Sequence, residues 1–138
     1  MSERSPEYLA EVRRWLRYAQ EDLTAARRLA LDEDVAPRQA CWLAQQAAEK
    51  ALKAALCFAQ VDFPRTHNLD TLRNLLPAGW SVKEQHGDLA QLTGWAVEAR
   101  YPGDWPEATV EDSRQALELA EGVLESVRRD LSQRGLQL

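Results

Sequence analysis

Apolar residues recur every three or four positions along most of the chain, and this spacing predicts amphipathic α-helices. The stretch from Ala40 to Phe58 is the most apolar of them, and no glycine or proline interrupts it. A helix with a narrow polar face is covered on most sides, so we predict that this segment is the central helix. Its polar residues share one arc of about 140°, at about 100° per residue. We call them the polar strip: Gln45, Gln46, Glu49, Lys50 and Lys53.

Turn and capping residues place the elements around the central helix. Ser5 and Pro6 predict the start of a first long helix, because they suit its N-cap and its first turn. Pro37 predicts the start of the central helix after a short connection, which favours an antiparallel hairpin of the first two helices. A short helix is then predicted, which ends before Pro77. Its apolar face consists of Leu69, Leu72, Leu75 and Leu76.

Two further long helices are predicted in the second half of the chain. Ser81 and Glu84 have the spacing of a capping box, and we expect the helix that they open to be split or kinked near Gly87 or Gly94. Thr109 has the character of an N-cap for the last helix. No segment alternates as a strand would. The sequence therefore predicts an all-α, up-and-down bundle of four long helices and one short helix, with antiparallel helix hairpins, in a single domain over residues 1–138.

Composition narrows the class of protein. The net charge of −5 disfavours general electrostatic binding of long nucleic acids, although a local basic site is compatible with it. No apolar run approaches the roughly 18 residues of a membrane span, and the first residues lack the apolar core of a signal peptide. We therefore predict a cytoplasmic protein. Cys41 and Cys57 are too far apart on one predicted helix, at about 24 Å, to form a disulfide, so both are predicted to be free thiols.

The strong sequence motifs of metal and cofactor sites are absent. The two histidines, His67 and His86, have no zinc-type spacing to cysteine or to each other, and no phosphate-binding glycine motif occurs. We therefore expect neither a metal nor a cofactor. Two polar breaks remain, Thr66-His67-Asn68 (the THN turn) and Arg100-Tyr101-Pro102 (the RYP loop), each at a predicted helix boundary. Considered alone, they are typical of helix caps and of an arginine at a helix C-terminus.

Considered together, these segments resemble a known family. The order AQQAAEKALKAAL, THNLDTL and EARYP is similar to that in the HEPN domain family, the nucleotide-binding domains of higher eukaryotes and prokaryotes. This resemblance implies an antiparallel helical bundle that forms a homodimer and acts with a minimal nucleotidyltransferase as a partner. It also implies one of two activities. The HEPN protein and the nucleotidyltransferase form a toxin–antitoxin module, in which the HEPN protein is often an RNA-cleaving toxin. In other cases the HEPN protein binds the nucleotide or substrate of the transferase.

The chain departs from the family pattern at one important point. HEPN ribonucleases carry an arginine, four to six residues and then a histidine, whereas no histidine follows Arg100 within that range. Arg100 could still bind a phosphate bidentately. His67 could replace the missing base only if the THN turn reached the RYP loop. We expect this contact if the second and fourth helices run parallel, because both breaks would then lie at the same end of the bundle.

The polar strip has two interpretations. Either it is a solvent-exposed face, with Glu49 and Lys53 as an i,i+4 ion pair, or it takes part in recognition. In the second case Lys50 and Lys53 add positive charge to a phosphate groove, or Trp42 and the strip form a dimer interface.

The sequence thus predicts a nucleotide- or RNA-binding protein of a two-component module. The alternatives are a metal-independent ribonuclease toxin with a divergent site, for which Arg100 and His67 are the catalytic candidates, and a non-catalytic dimerisation domain. Catalysis is not expected, because the family's arginine-to-histidine spacing is missing. The predicted binding residues are Arg100, Tyr101, His67, Asn68, Lys50 and Lys53.

Overall fold

The computed structural model describes residues 5–138, in which every regular element is an α-helix, so the all-α prediction is confirmed. Residues 1–4, part of the stretch without a signal-peptide pattern, lie outside the described residues. Among the described helices, none combines the length and apolarity needed to cross a membrane. The helices are α1 (Pro6–Leu31), α2 (Pro37–Phe58), α3 (Leu69–Leu75), α4 (Ser81–Gln85), α5 (Ala90–Glu98) and α6 (Val110–Gln133).

The first two helices form the predicted antiparallel hairpin. Ser5 caps α1 by accepting the N–H of Tyr8, as the sequence indicates. The Tyr8 hydroxyl, near the start of α1, donates to the carbonyl of Cys57 near the end of α2. Asp22, much further along α1, pairs with Lys50 in the middle of α2. The buried apolar residues of α1 recur every three or four positions: Val12, Leu16, Ala19, Leu23 and Ala26.

α2 is the central helix, as predicted, and it packs against α1, α3, α5 and α6. Apolar side chains cover most of its surface, and two polar residues, Gln45 and Glu49, are buried among them. The helix ends where Gln60 adopts a left-handed conformation, with φ of 58°, and the Val61 N–H donates to the Leu56 carbonyl at 3.0 Å. This Schellman-type ending reverses the chain direction, so the segment after α2 returns along that helix.

The third of the four predicted long helices, the one that begins at Ser81, is divided into α4 and α5, so the described bundle has three long and three short helices. The division lies beside Gly87, one of the two glycines expected to weaken this helix. Two side chains of α3 bind the backbone of the segment between α4 and α5. Arg73 donates to the carbonyl of His86, and Asp70 accepts the N–H of Leu89. These hydrogen bonds replace those of a continuous helix, which explains why the break is stable.

α4 begins without the capping box predicted from Ser81 and Glu84, so that prediction is wrong. Its first amides are bound instead by Asp130 of α6. The Ser81 N–H and hydroxyl donate to Oδ1 of Asp130 at 3.0 Å and 2.6 Å, and the Val82 N–H donates to Oδ2 at 3.1 Å. A carboxylate at this position also interacts favourably with the helix dipole. α4 is therefore held in place by a side chain from a distant helix. The predicted cap of the last helix is confirmed, since Thr109 caps α6.

Candidate functional site

The RYP loop lies at the N-terminal end of α2, and His67 lies beside the middle of the same helix. Arg38, in the first turn of α2, donates from Nη1 to the carbonyl of Ala99 at 3.0 Å, just before the loop. Gln45 donates from Nε2 to the carbonyl of His67 at 3.1 Å. Arg38 and Gln45 are separated by about 10 Å of helix rise. Both polar breaks therefore lie along one face of α2, at different heights.

α5 runs antiparallel to α2, so the parallel arrangement on which the contact between the THN turn and the RYP loop depended is not present. The start of α5 lies near His67, because the Leu69 N–H donates to Oγ1 of Thr93 at 3.0 Å, whereas the end of α5 lies near Arg38. The physical reason is the return of the chain along α2 after Gln60, before α3 begins. Within residues 5–138, no hydrogen bond or ion pair joins the side chains of His67 and Arg100.

Arg38 and Arg100 are anchored at the same place, the C-terminal end of α5, and we call them the arginine pair. Nε of Arg100 donates to the carbonyl of Ala96 at 2.8 Å, and Nη1 of Arg38 donates to that of Ala99. In the described part of the chain, neither guanidinium forms an ion pair with a carboxylate. Arg100 also lies over the Tyr101 ring, 5.1 Å from its centroid. Each guanidinium keeps further N–H donors that can bind an anion.

The arginine pair lines a cavity of about 450 Å³ between the start of α2, the end of α5 and the loop before α6. α2 begins here without a side-chain cap and without an acidic residue in its first turn, so its free amides and dipole add positive potential. Glu98 and Glu107 also line the cavity and can accept hydrogen bonds from ligand hydroxyl or amino groups. Tyr101, which is 55% exposed, and Trp105 add aromatic surface. The cavity thus combines anion-binding donors, acceptors and rings.

The polar strip is buried around Glu49, so the exposed-face interpretation is wrong for its central residues. Glu49 is 5% exposed and accepts hydrogen bonds from Nδ1 of His67 at 2.8 Å, Nζ of Lys53 at 3.0 Å and Nε2 of Gln45 at 3.2 Å. Burial acts to raise the pKa of Glu49, but these hydrogen bonds and the charge of Lys53 outweigh it and lower the pKa below its ordinary value. Glu49 is therefore ionised at neutral pH.

Gln45 and Glu49 together hold the THN turn against α2. Gln45 binds the backbone of His67 and Glu49 binds its ring, so the turn is attached at two points. A carboxylate at Nδ1 favours the tautomer that carries the proton there and leaves the lone pair on Nε2. The His67 side chain is 55% exposed, and the described residues provide no partner for Nε2. Asn68 accepts the N–H of Thr71 and so caps α3.

Both lysines of the polar strip pair with carboxylates of the chain. Lys50 pairs with Asp22, and Lys53 pairs with Glu49, which confirms the expected i,i+4 pair. Lys53 also lies over the rings of Trp15 and Phe63, 5.6 Å and 5.7 Å from their centroids. The cavity beside the RYP loop includes neither lysine in its lining. The structure thus brings Arg100 and Tyr101 together in one cavity and places the other predicted residues elsewhere on α2 and the THN turn.

Sequence reasoning missed Arg38 and Trp105, which complete the cavity. A signal for Arg38 was present, because a basic residue in the first turn of a helix opposes the helix dipole. A basic residue at this position is therefore expected to have a partner outside its own helix. The partner of Arg38 is the carbonyl of Ala99, at the C-terminal end of α5. Trp105 lies in a proline-rich loop with no periodicity, so its position depends on the tertiary fold.

The sequence and the fold are similar to those of known proteins, although no curated protein matches the chain. The HEPN domain matches residues 12–130. The crystal structure of TT1696 from Thermus thermophilus has a TM-score of 0.71 and 28% identity, over 86% of this chain and 97% of that chain. That of ST0689, an archaeal HEPN homologue, has a TM-score of 0.64 and 27% identity, over 85% and 94%. The chain therefore belongs to the HEPN domain family.

Proposed function

We propose that this HEPN protein binds a nucleotide, or the phosphate groups of RNA, in the cavity beside the RYP loop. The observation that carries the proposal is the arginine pair, two guanidinium groups anchored within one turn of α5 and without carboxylate partners among the described residues. Two positive charges that line one cavity favour an anion over a neutral ligand there. Phosphate is a suitable anion, because guanidinium groups bind its oxygens in a bidentate geometry.

We also propose that the protein acts with a minimal nucleotidyltransferase in a toxin–antitoxin-like module and forms a homodimer. Membership of the HEPN family supports this role. In this module, the cavity holds the nucleotide or RNA on which the transferase acts, and the HEPN protein needs no catalytic group of its own. The missing histidine after Arg100 supports binding rather than cleavage.

Replacing Arg100 with alanine is expected to weaken binding of ATP or of a short RNA about 30-fold. This factor corresponds to the loss of charge-assisted hydrogen bonds worth about 2 kcal/mol. Arg38→Ala is expected to have a similar effect, because its guanidinium lines the same cavity. Isothermal titration calorimetry on both variants and on the wild type measures these affinities.

Arg129→Ala is the matched control for these variants. Arg129 is exposed on α6, contacts Glu125 at 3.7 Å and does not line the cavity, so its removal should leave affinity unchanged. Equal affinities of the wild type, Arg38→Ala and Arg100→Ala would exclude the cavity as the binding site. A stable dimer that binds neither ATP nor RNA would instead favour a structural dimerisation domain.

Although the THN turn does not reach the RYP loop, the pairing of Glu49 with His67 favours a second candidate function, that of a metal-independent ribonuclease in which His67 acts apart from the arginine pair. Nε2 of His67 could take the proton of an RNA 2′-hydroxyl, while the ionised Glu49 stabilises the resulting imidazolium. The 2′ oxygen would then attack the adjacent phosphorus, and the bond from phosphorus to the 5′ oxygen would break. The proton held on His67 would pass to that leaving oxygen.

If His67 acts in this way, the purified protein should cleave structured RNA in the presence of EDTA. His67→Ala should then lower the rate about 100-fold or more, which is typical of the loss of a general base. Denaturing gel electrophoresis of labelled RNA gives the rates, and Arg100→Ala shows whether the arginine pair holds the phosphate that is cleaved. RNA that binds but stays intact at high protein concentration would exclude this candidate and leave the binding function.

A further inference from the structure

Trp105 differs from the other four tryptophans of the chain in what it contacts. Trp80 and Trp95 are buried in the core, and Trp15 and Trp42 pack against it. Trp105 belongs to neither group and lines the cavity beside the RYP loop, where it is partly exposed. A tryptophan buries a large apolar area when it stabilises a core, and Trp105 does not have that role. Its position therefore needs another explanation.

The ring of Trp105 occupies the space that a side chain at Gly103 would fill. A side-chain carbon at Gly103 would come within 2.3 Å, 2.4 Å and 2.6 Å of three atoms of the six-membered ring, Cη2, Cζ3 and Cζ2. The φ angle of Gly103 is outside the left-handed region, so the close approach of the ring, not the backbone conformation, requires glycine here. Two prolines, Pro102 and Pro106, restrict the loop around the ring. The indole is thus held in one place at the cavity wall.

We propose that Trp105 is a stacking platform for a nucleobase, so that the cavity takes a whole mononucleotide rather than a phosphate group alone. This inference rests on the proposed binding of phosphate by the arginine pair. The base lies on the indole, and the phosphate lies at Arg38 and Arg100. A volume of about 450 Å³ is within the range of small-molecule sites, and base stacking on an aromatic ring adds affinity without requiring a particular base. Purines are preferred, because their larger rings overlap the indole more.

Comparison of two ligands that differ only in the base tests this platform. Adenosine 5′-monophosphate and ribose 5-phosphate share the phosphate and the sugar, and we expect the former to bind about ten-fold more tightly, as for one stacked base. Trp105→Ala should abolish this difference while leaving the affinity for ribose 5-phosphate within about two-fold. Trp105→Phe should keep part of the difference, because a smaller ring remains. Isothermal titration calorimetry provides the affinities.

Gly103→Ala is the sharpest variant, because it displaces the indole without removing it. It should reduce the preference for adenosine 5′-monophosphate to the level of Trp105→Ala. Tryptophan fluorescence adds a direct readout, since the nucleotide should quench emission in the wild type but not in Trp105→Phe.

The possible failures can be told apart. Equal binding of both ligands by the wild type would overturn the platform and leave the phosphate site intact. Binding of neither ligand would overturn the proposed function together with this inference. A preference for the nucleotide that survives in both Trp105→Ala and Gly103→Ala would place the base elsewhere in the cavity and overturn the platform alone.

Discussion

Replacing Asp130 with alanine is expected to lower the free energy of unfolding by about 3 kcal/mol, because three buried or half-buried donors lose their acceptor. Asp130 is 1% exposed and accepts the N–H and hydroxyl of Ser81 and the N–H of Val82. Urea denaturation measures the change, and the melting temperature should fall by roughly 10 °C.

Glu125→Ala is the control on the same helix, since Glu125 is largely exposed and forms an ion pair with Arg129 at 3.7 Å. This variant should change the free energy of unfolding by no more than about 0.5 kcal/mol. Asp130→Asn keeps one acceptor oxygen, so its free energy of unfolding should lie between those of Asp130→Ala and the wild type. If Asp130→Ala were as stable as Glu125→Ala, α4 would not depend on the cap that α6 provides.

The second large effect is expected for Glu49→Gln, which should destabilise the protein by about 3 kcal/mol at pH 7. Glutamine has the same shape, but it leaves the partly buried ammonium group of Lys53 without a counter-ion. It also presents an amide that can satisfy only part of the donors from Gln45 and His67. Urea unfolding at pH 7 measures the difference from the wild type.

The pH dependence of that difference provides a second measurement. The pKa of Glu49 is lowered in the folded protein, so the unfolded chain binds a proton more readily than the folded one at acidic pH. The stabilisation by Glu49 is therefore fully present above the ordinary glutamate range, about pH 4.3, and is lost as the pH falls through the lower folded value. The stability difference between wild type and Glu49→Gln should shrink over this range.

Glu21→Gln is the matched control for Glu49→Gln, because Glu21 is exposed and its ion pair with Arg17 measures 4.0 Å. Its stability should differ from that of the wild type by less than about 0.5 kcal/mol at each pH. A difference between wild type and Glu49→Gln that stays constant down to about pH 3 would contradict the role of an ionised Glu49.

The helices could be predicted because their signals are local. The cap of α1 at Ser5, the cap of α6 at Thr109 and the central position of α2 depend on residues a few positions apart, and the structure agrees with each. The division between α4 and α5 was expected only in part. Gly87 indicated a weak point, but the hydrogen bonds that fix the break come from α3. The cap of α4 comes from Asp130, 49 positions from Ser81, and no local pattern reveals it.

At the candidate site, too, local signals could be read from the sequence, whereas contacts between distant segments could not. Arg100 and Tyr101 stood out because the RYP loop interrupts a helical pattern, whereas Arg38 became part of the site only through the antiparallel approach of α5 to α2. Glu49 looked like one half of an exposed ion pair, since helical spacing places it opposite the apolar residues. The returning segment after Gln60 covers that face and buries it. Periodicity describes one helix at a time and cannot show which faces a loop will cover.

The anchoring of the arginine pair on α5 also has a consequence for the entropy of binding. A free arginine side chain has about 2 kcal/mol of rotamer entropy to lose when a ligand fixes it. Arg38 and Arg100 give up part of this freedom when the chain folds, because each already donates one N–H to a carbonyl of α5 or of the residue that follows it. A ligand therefore meets donors that are already oriented, and little of its interaction energy is lost in ordering them. The cavity is preorganised, so even a small phosphate compound should bind with measurable affinity.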